Sequence, residues 1–178
     1  MRPRTGRPED GEFAEYARAD IDLVPGDDAI DALRDQETLT REVLEPVSEA
    51  RARGLRYGPG KWTLKEVLGH LADDERIFAY RILCLARGDP APLPGFDEEL
   101  YNREAGFEAR SLSDLLSEYR VVRQATITLL LGLPAEAWMR RGVVNGYPAS
   151  VRGLAFHIAG HERRHLRAIR EKYLAARP

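Results

Sequence analysis

Apolar residues recur at helical spacing in four long segments of the chain, and breaks rich in Pro and Gly separate these segments. A period of 3.6 residues is typical of amphipathic helices that bury one face. No stretch alternates apolar and polar residues for long enough to predict a sheet, beyond a small hairpin or turn in "RRGVVNGYPAS". The pattern therefore predicts an all-α protein, an antiparallel four-helix bundle with helices over about residues 28–53, 63–87, 111–131 and 150–174.

Local signals mark where these helices begin and break. Thr63 and Glu66 form a T-x-x-E capping box at the start of the second helix, and Ser111 and Ser150 precede the third and fourth. Pro46 falls inside the first helix, where a proline lacks the N–H that the helix needs. We therefore expect the first helix to kink or divide there.

Two segments lie outside the predicted helices. Residues 1–26 show no periodicity and predict an N-terminal arm that packs on the domain or frays, which leaves residues 27–178 for the bundle. A long loop, "GDPAPLPGFDEELYNREAGF", joins the second and third helices. Loops of this length usually carry or cover a site. Phe96, Asp97 and Tyr101 would then close over a substrate; the alternative is that the loop only covers the bundle end.

Composition narrows the class of protein. A net charge of −2 gives no electrostatic reason to expect nucleic acid as a partner. No apolar run reaches the length of a membrane span, and the N-terminal residues lack the apolar segment of a secretory signal. The single cysteine, Cys84, excludes an intramolecular disulfide and suits a reducing cytoplasm, where its default role is to fill the core. We expect a cytoplasmic protein.

The candidate chemistry lies in "GHERRH", residues 160–165. On a helical wheel, His165 falls inside the apolar arc of the last helix and His161 falls at its edge, about 40° away. Two imidazoles one turn apart on one face have the spacing that lets them share a metal. The competing interpretation is a pair of histidines packed in the core. His157 lies further outward and is the least expected of the three to face the core.

A third ligand would decide between these interpretations. The only other histidine is His70, and it lies on the second helix with Asp74 and Arg81 along one margin of the apolar stripe. Three imidazoles from two facing helices are typical of a catalytic metal site with open positions. His70, His161 and His165 are therefore the predicted ligands, and Asp74 is a fourth ligand or an acceptor that fixes the His70 tautomer.

His161, Glu162 and His165 also spell H-E-x-x-H, the zinc-protease signature. Arginines occupy both intervening positions, no suitable third ligand follows in the sequence, and no edge strand is predicted to hold a peptide. The sequence therefore argues against a protease of this type.

Two carboxylates, Glu75 and Glu162, fall within the apolar arcs of their helices, where an unpaired charge is costly. Arg123 falls in the apolar arc of the third helix. We expect these three residues to form a buried ionic cluster beneath the metal.

The ordered set "GPGKWTLKEVLGHLADDERIFAYRILCLARGD", "PLPGFDEELY", "EYRVVRQAT" and "SVRGLAFHIAGHERRHL" resembles the DinB-like (YfiT-type) metal-binding four-helix bundles. The resemblance implies a divalent metal, either zinc, nickel or another, held by His70, His161 and His165. It also implies a homodimer, and a low-molecular-weight thiol as cosubstrate, as in some relatives. Close relatives often carry a histidine where this chain has Arg164, which lies off the ligand face.

Three functions follow from these features. The first is transfer of a low-molecular-weight thiol to a small electrophile in stress or detoxification, since a metal binds a thiol as thiolate. The second is metal-dependent hydrolysis. The third is a non-enzymatic metal-binding stress protein. In the enzymatic cases, Glu162 or Asp74 would hold a ligand or move a proton as a catalytic residue.

Overall fold

A computed structural model describes residues 5–175, and four long helices form a bundle as the hydrophobic pattern predicts. The capping box is confirmed, because Glu66 N donates to Thr63 Oγ1 at 3.2 Å and Thr63 N donates to Glu66 Oε2 at 2.6 Å. In chain order, the helices are α1 (Arg18–Asp22), α2 (Ala29–Leu44), α3 (Glu49–Ala52), α4 (Leu64–Ala86), α5 (Glu98–Ala105), α6 (Leu112–Leu131) and α7 (Val151–Ala168), and α7 continues into a wider turn, Ile169–Tyr173.

Pro46 divides the first predicted helix. α2 ends at Leu44 and α3 begins at Glu49, so the proline lies between two helices instead of inside one. Ser48 replaces the lost helical hydrogen bonds at the new start, because its hydroxyl accepts from Arg51 N at 3.2 Å. The predicted division is confirmed.

The bundle consists of α2, α4, α6 and α7, and each of them packs on two neighbours. One core cluster contains the beginnings of α2 and α7 and the ends of α4 and α6, and a second cluster contains the opposite ends. The helices therefore run up, down, down and up along the chain. The pairs α4–α7 and α2–α6 are antiparallel, whereas α4–α6 and α2–α7 are parallel neighbours.

This topology explains the long loop between α4 and α6. Parallel neighbours require the chain to return along the whole bundle, about 34 Å for a helix of the length of α4. The returning segment carries α5, where the hydrophobic pattern predicts only a loop. Its signals are Asp97, whose carboxylate accepts from Leu100 N at 3.0 Å, and Gly106, which ends it in the left-handed region at φ 67°.

The N-terminal arm packs along α7. Gly153 and Gly160 make this contact possible, because a Cβ at these positions would lie 2.2 Å from Glu12 O and 2.1 Å from Asp20 O. Glu12 anchors the arm: its buried carboxylate accepts from Arg152 Nε and Nη2, both at 2.6 Å. Residues 5–26 therefore lie on the bundle, and residues 1–4 lie outside the described part of the chain.

A two-stranded hairpin joins α6 to α7, as the sequence allowed. β1 (Arg141–Val144) pairs antiparallel with β2 (Tyr147–Ser150). Asn145 and Gly146 form the turn at φ 52° and 79°, the two positive angles that a type I′ turn requires. None of the helices within residues 5–175 has the length and apolar character needed to cross a membrane.

Candidate metal centre

His70 on α4 meets His161 and His165 on α7 between the two antiparallel helices. Their ligand atoms all lie within 4.8 Å of one another. His161 Nε2 is 3.3 Å from His70 Nε2 and 3.1 Å from His165 Nε2. The structure thus brings together the three histidines that the sequence pattern selected.

The spacing of these nitrogens fits a metal ion. Two imidazole ligands of a tetrahedral zinc ion, each at about 2.0–2.1 Å, lie about 3.3 Å apart. When three neutral imidazoles direct the Nε2 lone pair toward one point, they have no proton there with which to hydrogen-bond one another. One cation at that point would accept all three lone pairs. The donor set therefore fits a divalent transition-metal ion that binds imidazole.

The sequence predicts that Asp74 is a fourth ligand or fixes the tautomer of His70. In the structure, Asp74 instead contacts His161. Its Oδ2 lies 3.2 Å from His161 Nδ1, so the imidazole donates its Nδ1 proton there and keeps the Nε2 lone pair free. Burial alone would raise the pKa of Asp74, but the electrostatic attraction and hydrogen bond of the His161 ring outweigh burial and lower this pKa to about 2. Asp74 is thus an anionic acceptor one turn away from His70.

The environment keeps two of the ligands neutral. Burial, followed by the proximity of His161, lowers the pKa of His70 to about 4 and that of His165 to about 2. A neutral imidazole is the form that binds metals, so both ligands are ready for a cation near neutral pH.

Two cavities open on either side of the histidines. The smaller, of about 430 Å³, reaches His165 between Trp62 and Tyr173, and the larger, of about 620 Å³, reaches His161 and Asp74. The two cavities share only Glu98 and Arg164 among their lining residues. The metal position is therefore accessible from two directions.

Glu98 is a residue that the sequence reading missed. It lies in the first turn of α5, and its Oε2 is 3.9 Å from His70 Nε2. One sequence signal for this position is Asp97, a residue type that favours the start of a helix, which places Glu98 in the first turn. Without the path of the returning loop, however, no pattern placed this carboxylate beside the histidines.

The loop residues named from the sequence lie close to the centre. Phe96 and Asp97 line the larger cavity, and the ring of Tyr101 lies 5.3 Å from that of Phe96. This position favours the interpretation that the loop covers a site. Cys84 is half-buried and packs against the hydrophobic core, as expected.

Glu162 faces away from this centre into a buried polar cluster. Its Oε2 accepts from Arg123 at 2.7 Å, and Arg123 also donates to both oxygens of Glu75 at 2.8–3.1 Å. The expected ionic cluster of these three residues is confirmed. Glu162 accepts further from Gln36, Thr40 and Tyr119.

The expectation for His157 was wrong. Its side chain is only 8% exposed and stacks on Phe78 with ring centroids 4.4 Å apart. The helical wheel placed His157 outward because it treats one side of α7 as solvent. The N-terminal arm covers that side, with Asp20 and Ala17 buried against the bundle.

A four-helix bundle with a three-histidine site between facing helices is the class of protein that this structure defines. The chain matches the DinB superfamily model over residues 32–169, and it therefore belongs to that superfamily. A solved structure with the same fold is described as "YfiT from Bacillus subtilis is a probable metal-dependent hydrolase with an unusual four-helix bundle topology". It matches with a TM-score of 0.74 and 16% identity, over 92% of this chain and 89% of that one. No curated protein matches the chain.

Proposed function

We propose that this protein is a metal-dependent hydrolase of small molecules, with zinc or nickel held by His70, His161 and His165. The convergence of three imidazoles, two buried and one half-buried, at the junction of two cavities carries this proposal. A cation there would supply Lewis-acid polarisation of the substrate and make a water nucleophilic near neutral pH. The description of the YfiT structure as that of a probable metal-dependent hydrolase supports the same reaction class.

Glu98 is the residue we propose as general base. Its carboxylate borders both cavities beside His70, and its side chain is 57% exposed, so it reaches the space where a substrate would lie. Asp74 is held by His161, and both oxygens of Glu162 accept hydrogen bonds in the polar cluster. The prediction that Glu162 or Asp74 moves a proton stays untested, and these contacts favour Glu98 instead.

A second function, thiol transfer, has one observation in its favour. The two cavities reach different histidines of the same trio, and a reaction between a thiol and an electrophile needs two binding spaces around one centre. Turnover that requires an added thiol would select this function over hydrolysis.

The test is a substrate screen on protein loaded with zinc or nickel, run with and without low-molecular-weight thiols. We expect metal-dependent hydrolysis without thiol, and a loss of about 10²–10⁴-fold in Glu98→Gln with unchanged metal content. Glu104→Gln is the matched control, because Glu104 lies on the same helix and is exposed beside Arg103. Full activity of Glu98→Gln would contradict the assignment of the base. Absence of any turnover, with all metal positions filled by protein ligands, would favour the non-enzymatic function.

A further inference from the structure

Arg81 is a buried cation with no anionic partner within 4 Å among residues 5–175. Three arginines of residues 5–175 are less than 10% exposed: Arg81, Arg123 and Arg152. Arg123 pairs with two buried carboxylates and Arg152 pairs with Glu12. No carboxylate of the described residues lies within 4 Å of Arg81, although it is only 4% exposed. Burial lowers the pKa of Arg81, and the more distant charge of Asp74 offsets this only in part.

The protein uses little of the hydrogen-bonding capacity of Arg81. Its Nη2 donates to Pro94 O at 2.7 Å, and the guanidinium lies 4.7 Å from the ring centroid of Phe78 and 5.8 Å from that of Phe96. A guanidinium offers two edges that can bind an acceptor in a bidentate way, Nε with Nη2 and Nη1 with Nη2, and each edge uses a different one of the two Nη2 protons. Whichever proton Pro94 O accepts, the other edge stays free for a bidentate acceptor.

That free group lines the same cavity as the metal centre. The larger cavity contains Arg81, His161 and Asp74 in its wall, together with the aromatic rings of Phe78 and Phe96. Arg81 follows Asp74 by seven residues on α4, which places it about 10 Å further along the helix. A small molecule could therefore contact both the metal position and Arg81.

The acidic residues of this cavity are already engaged. Asp20 pairs with Arg164 at 2.9 Å, Asp74 with His161 at 3.2 Å, and Asp97 accepts from Leu100 N. The remaining carboxylate, Glu98, lies beside His70. None of them neutralises Arg81 within 4 Å.

We propose that Arg81 binds a carboxylate of the substrate, so that the protein acts on small organic acids whose reactive bond lies at the histidine trio. A planar carboxylate matches the free edge of the guanidinium, and the flanking rings suit a flat apolar body next to that carboxylate. The position of the reactive bond rests on the proposed hydrolase function. The contact between Arg81 and the carboxylate does not, so the two can fail separately.

Binding of benzoate and benzamide to the metal-free protein tests the proposal. The two probes share an aromatic ring and differ in charge, and without metal a carboxylate cannot bind to a cation at the trio. We expect benzoate to bind about tenfold or more tightly than benzamide, as charge-assisted bidentate contacts require. Ligand-observed NMR titration gives both dissociation constants, and circular dichroism verifies that each sample is folded.

Variants separate anion binding from a structural role. Arg81→Gln should remove the preference for benzoate. Arg81→Lys should keep part of it, because lysine retains the charge but lacks the planar pair of N–H donors. Arg76→Gln is the matched control on the same helix, since Arg76 pairs with Glu118 outside this cavity. If Arg81 only holds the loop at Pro94, the Arg81→Gln variant should bind benzoate and benzamide more weakly by the same factor.

Three results would overturn the proposal: no benzoate binding at millimolar concentration, equal binding of the two probes by the unmodified chain, or an unchanged preference in Arg81→Gln. Tighter binding of phenylphosphonate than of benzoate would overturn the carboxylate as the recognised group. Failure of the hydrolase screen would leave these binding results unaffected.

Discussion

Arg123 joins two carboxylates from different helices in the centre of the bundle. It is 1% exposed, and Glu75 and Glu162 are both 2% exposed. Burial alone would lower its pKa, but the charges of Glu162 and Glu75 outweigh burial and raise it, so the cluster is ionic. The side chain fixes the relative position of α4, α6 and α7 through charge-assisted hydrogen bonds.

Replacing Arg123 with Met should therefore destabilise the protein strongly. The two carboxylates would stay buried without their cation, which costs about 3–5 kcal/mol when one partner of a buried pair is removed. Urea denaturation measures the free energy of unfolding. Arg120→Met is the control on the same helix, because Arg120 is half-exposed and lies 3.8 Å from Glu37. Equal midpoints for the two variants would contradict a structural role for the cluster.

His161 is the member of the proposed ligand trio that contacts both other histidines and Asp74. His161→Ala should abolish metal binding while the bundle still folds, because the apolar face of α7 does not depend on this side chain. Asp74 would lose its hydrogen-bond partner, so we expect a loss of about 1–3 kcal/mol in stability as well. Elemental analysis of the purified variant measures the metal. Unchanged metal content would refute the assignment of this ligand.

At the scale of elements, the N-terminal arm packs on α7 and forms one wall of the larger cavity. Tyr16, Ala19 and Asp20 of the arm line the larger cavity, opposite Phe96 and Asp97 from the returning loop. The arm can lie this close only because α7 lacks a side chain at Gly153 and Gly160. The site is therefore made by two segments outside the bundle as well as by the helices.

Gly160→Ala should displace the arm. The new Cβ would lie 2.1 Å from Asp20 O, a backbone atom that cannot rotate away. Overpacking of this kind costs about 1–3 kcal/mol, which exceeds the gain of about 1 kcal/mol from the better helix propensity of alanine. Thermal unfolding and limited proteolysis after Arg18 measure the two effects.

Gly132→Ala is the control for this substitution. Its Cβ would meet only ordinary contacts of 3.5 Å or more at the end of α6. A Gly160→Ala variant that is as stable and as protease-resistant as Gly132→Ala would show that the arm is not seated as described.

At the scale of the molecule, buried histidines make the metal-free protein sensitive to acid. Burial is the main cause that lowers the pKa of His70 and His157 to about 4 and of His165 to about 2. An unfolded histidine titrates near 6.5, so below that pH the unfolded chain binds more protons than the folded one. The contribution of these histidines to the free energy of unfolding is present above about pH 6.5. It is lost as the pH falls from 6.5 toward 4 for His70 and His157, and toward 2 for His165.

We therefore expect the free energy of unfolding of the metal-free protein to fall between pH 7 and pH 5, by at most about 1.4 kcal/mol per histidine and pH unit. The melting temperature should fall with it. Ordinary carboxylates titrate below this window, so they do not confuse the result. Zinc should shift the fall to lower pH, since cation and protons compete for the same nitrogens. A melting temperature that is constant from pH 7 to pH 5 would contradict the neutral state of these histidines.

The homodimer stays a prediction, which sedimentation equilibrium measures.

The sequence by itself determined what depends on local periodicity. Helix ends follow from side chains such as Thr63 and Ser111 that bond to their own backbone neighbours. The proposed metal ligands follow from the 3.6-residue repeat, since His161 and His165 share a face whatever the helix packs against. The buried ionic cluster follows in the same way, because a charge within an apolar arc must find a partner.

The tertiary structure alone decided what depends on segments far apart in the chain. Periodicity places each residue on a face of its own helix and carries no information about which distant segment covers that face. The arm turned the outward position of His157 into a buried one. The returning loop brought Glu98 to the histidines, because parallel neighbours force the chain back along the bundle. Arg81 could be placed on the margin of α4 from its spacing. Only the packed structure shows that no carboxylate of the described residues lies within 4 Å of it and that it lines the cavity beside the three histidines.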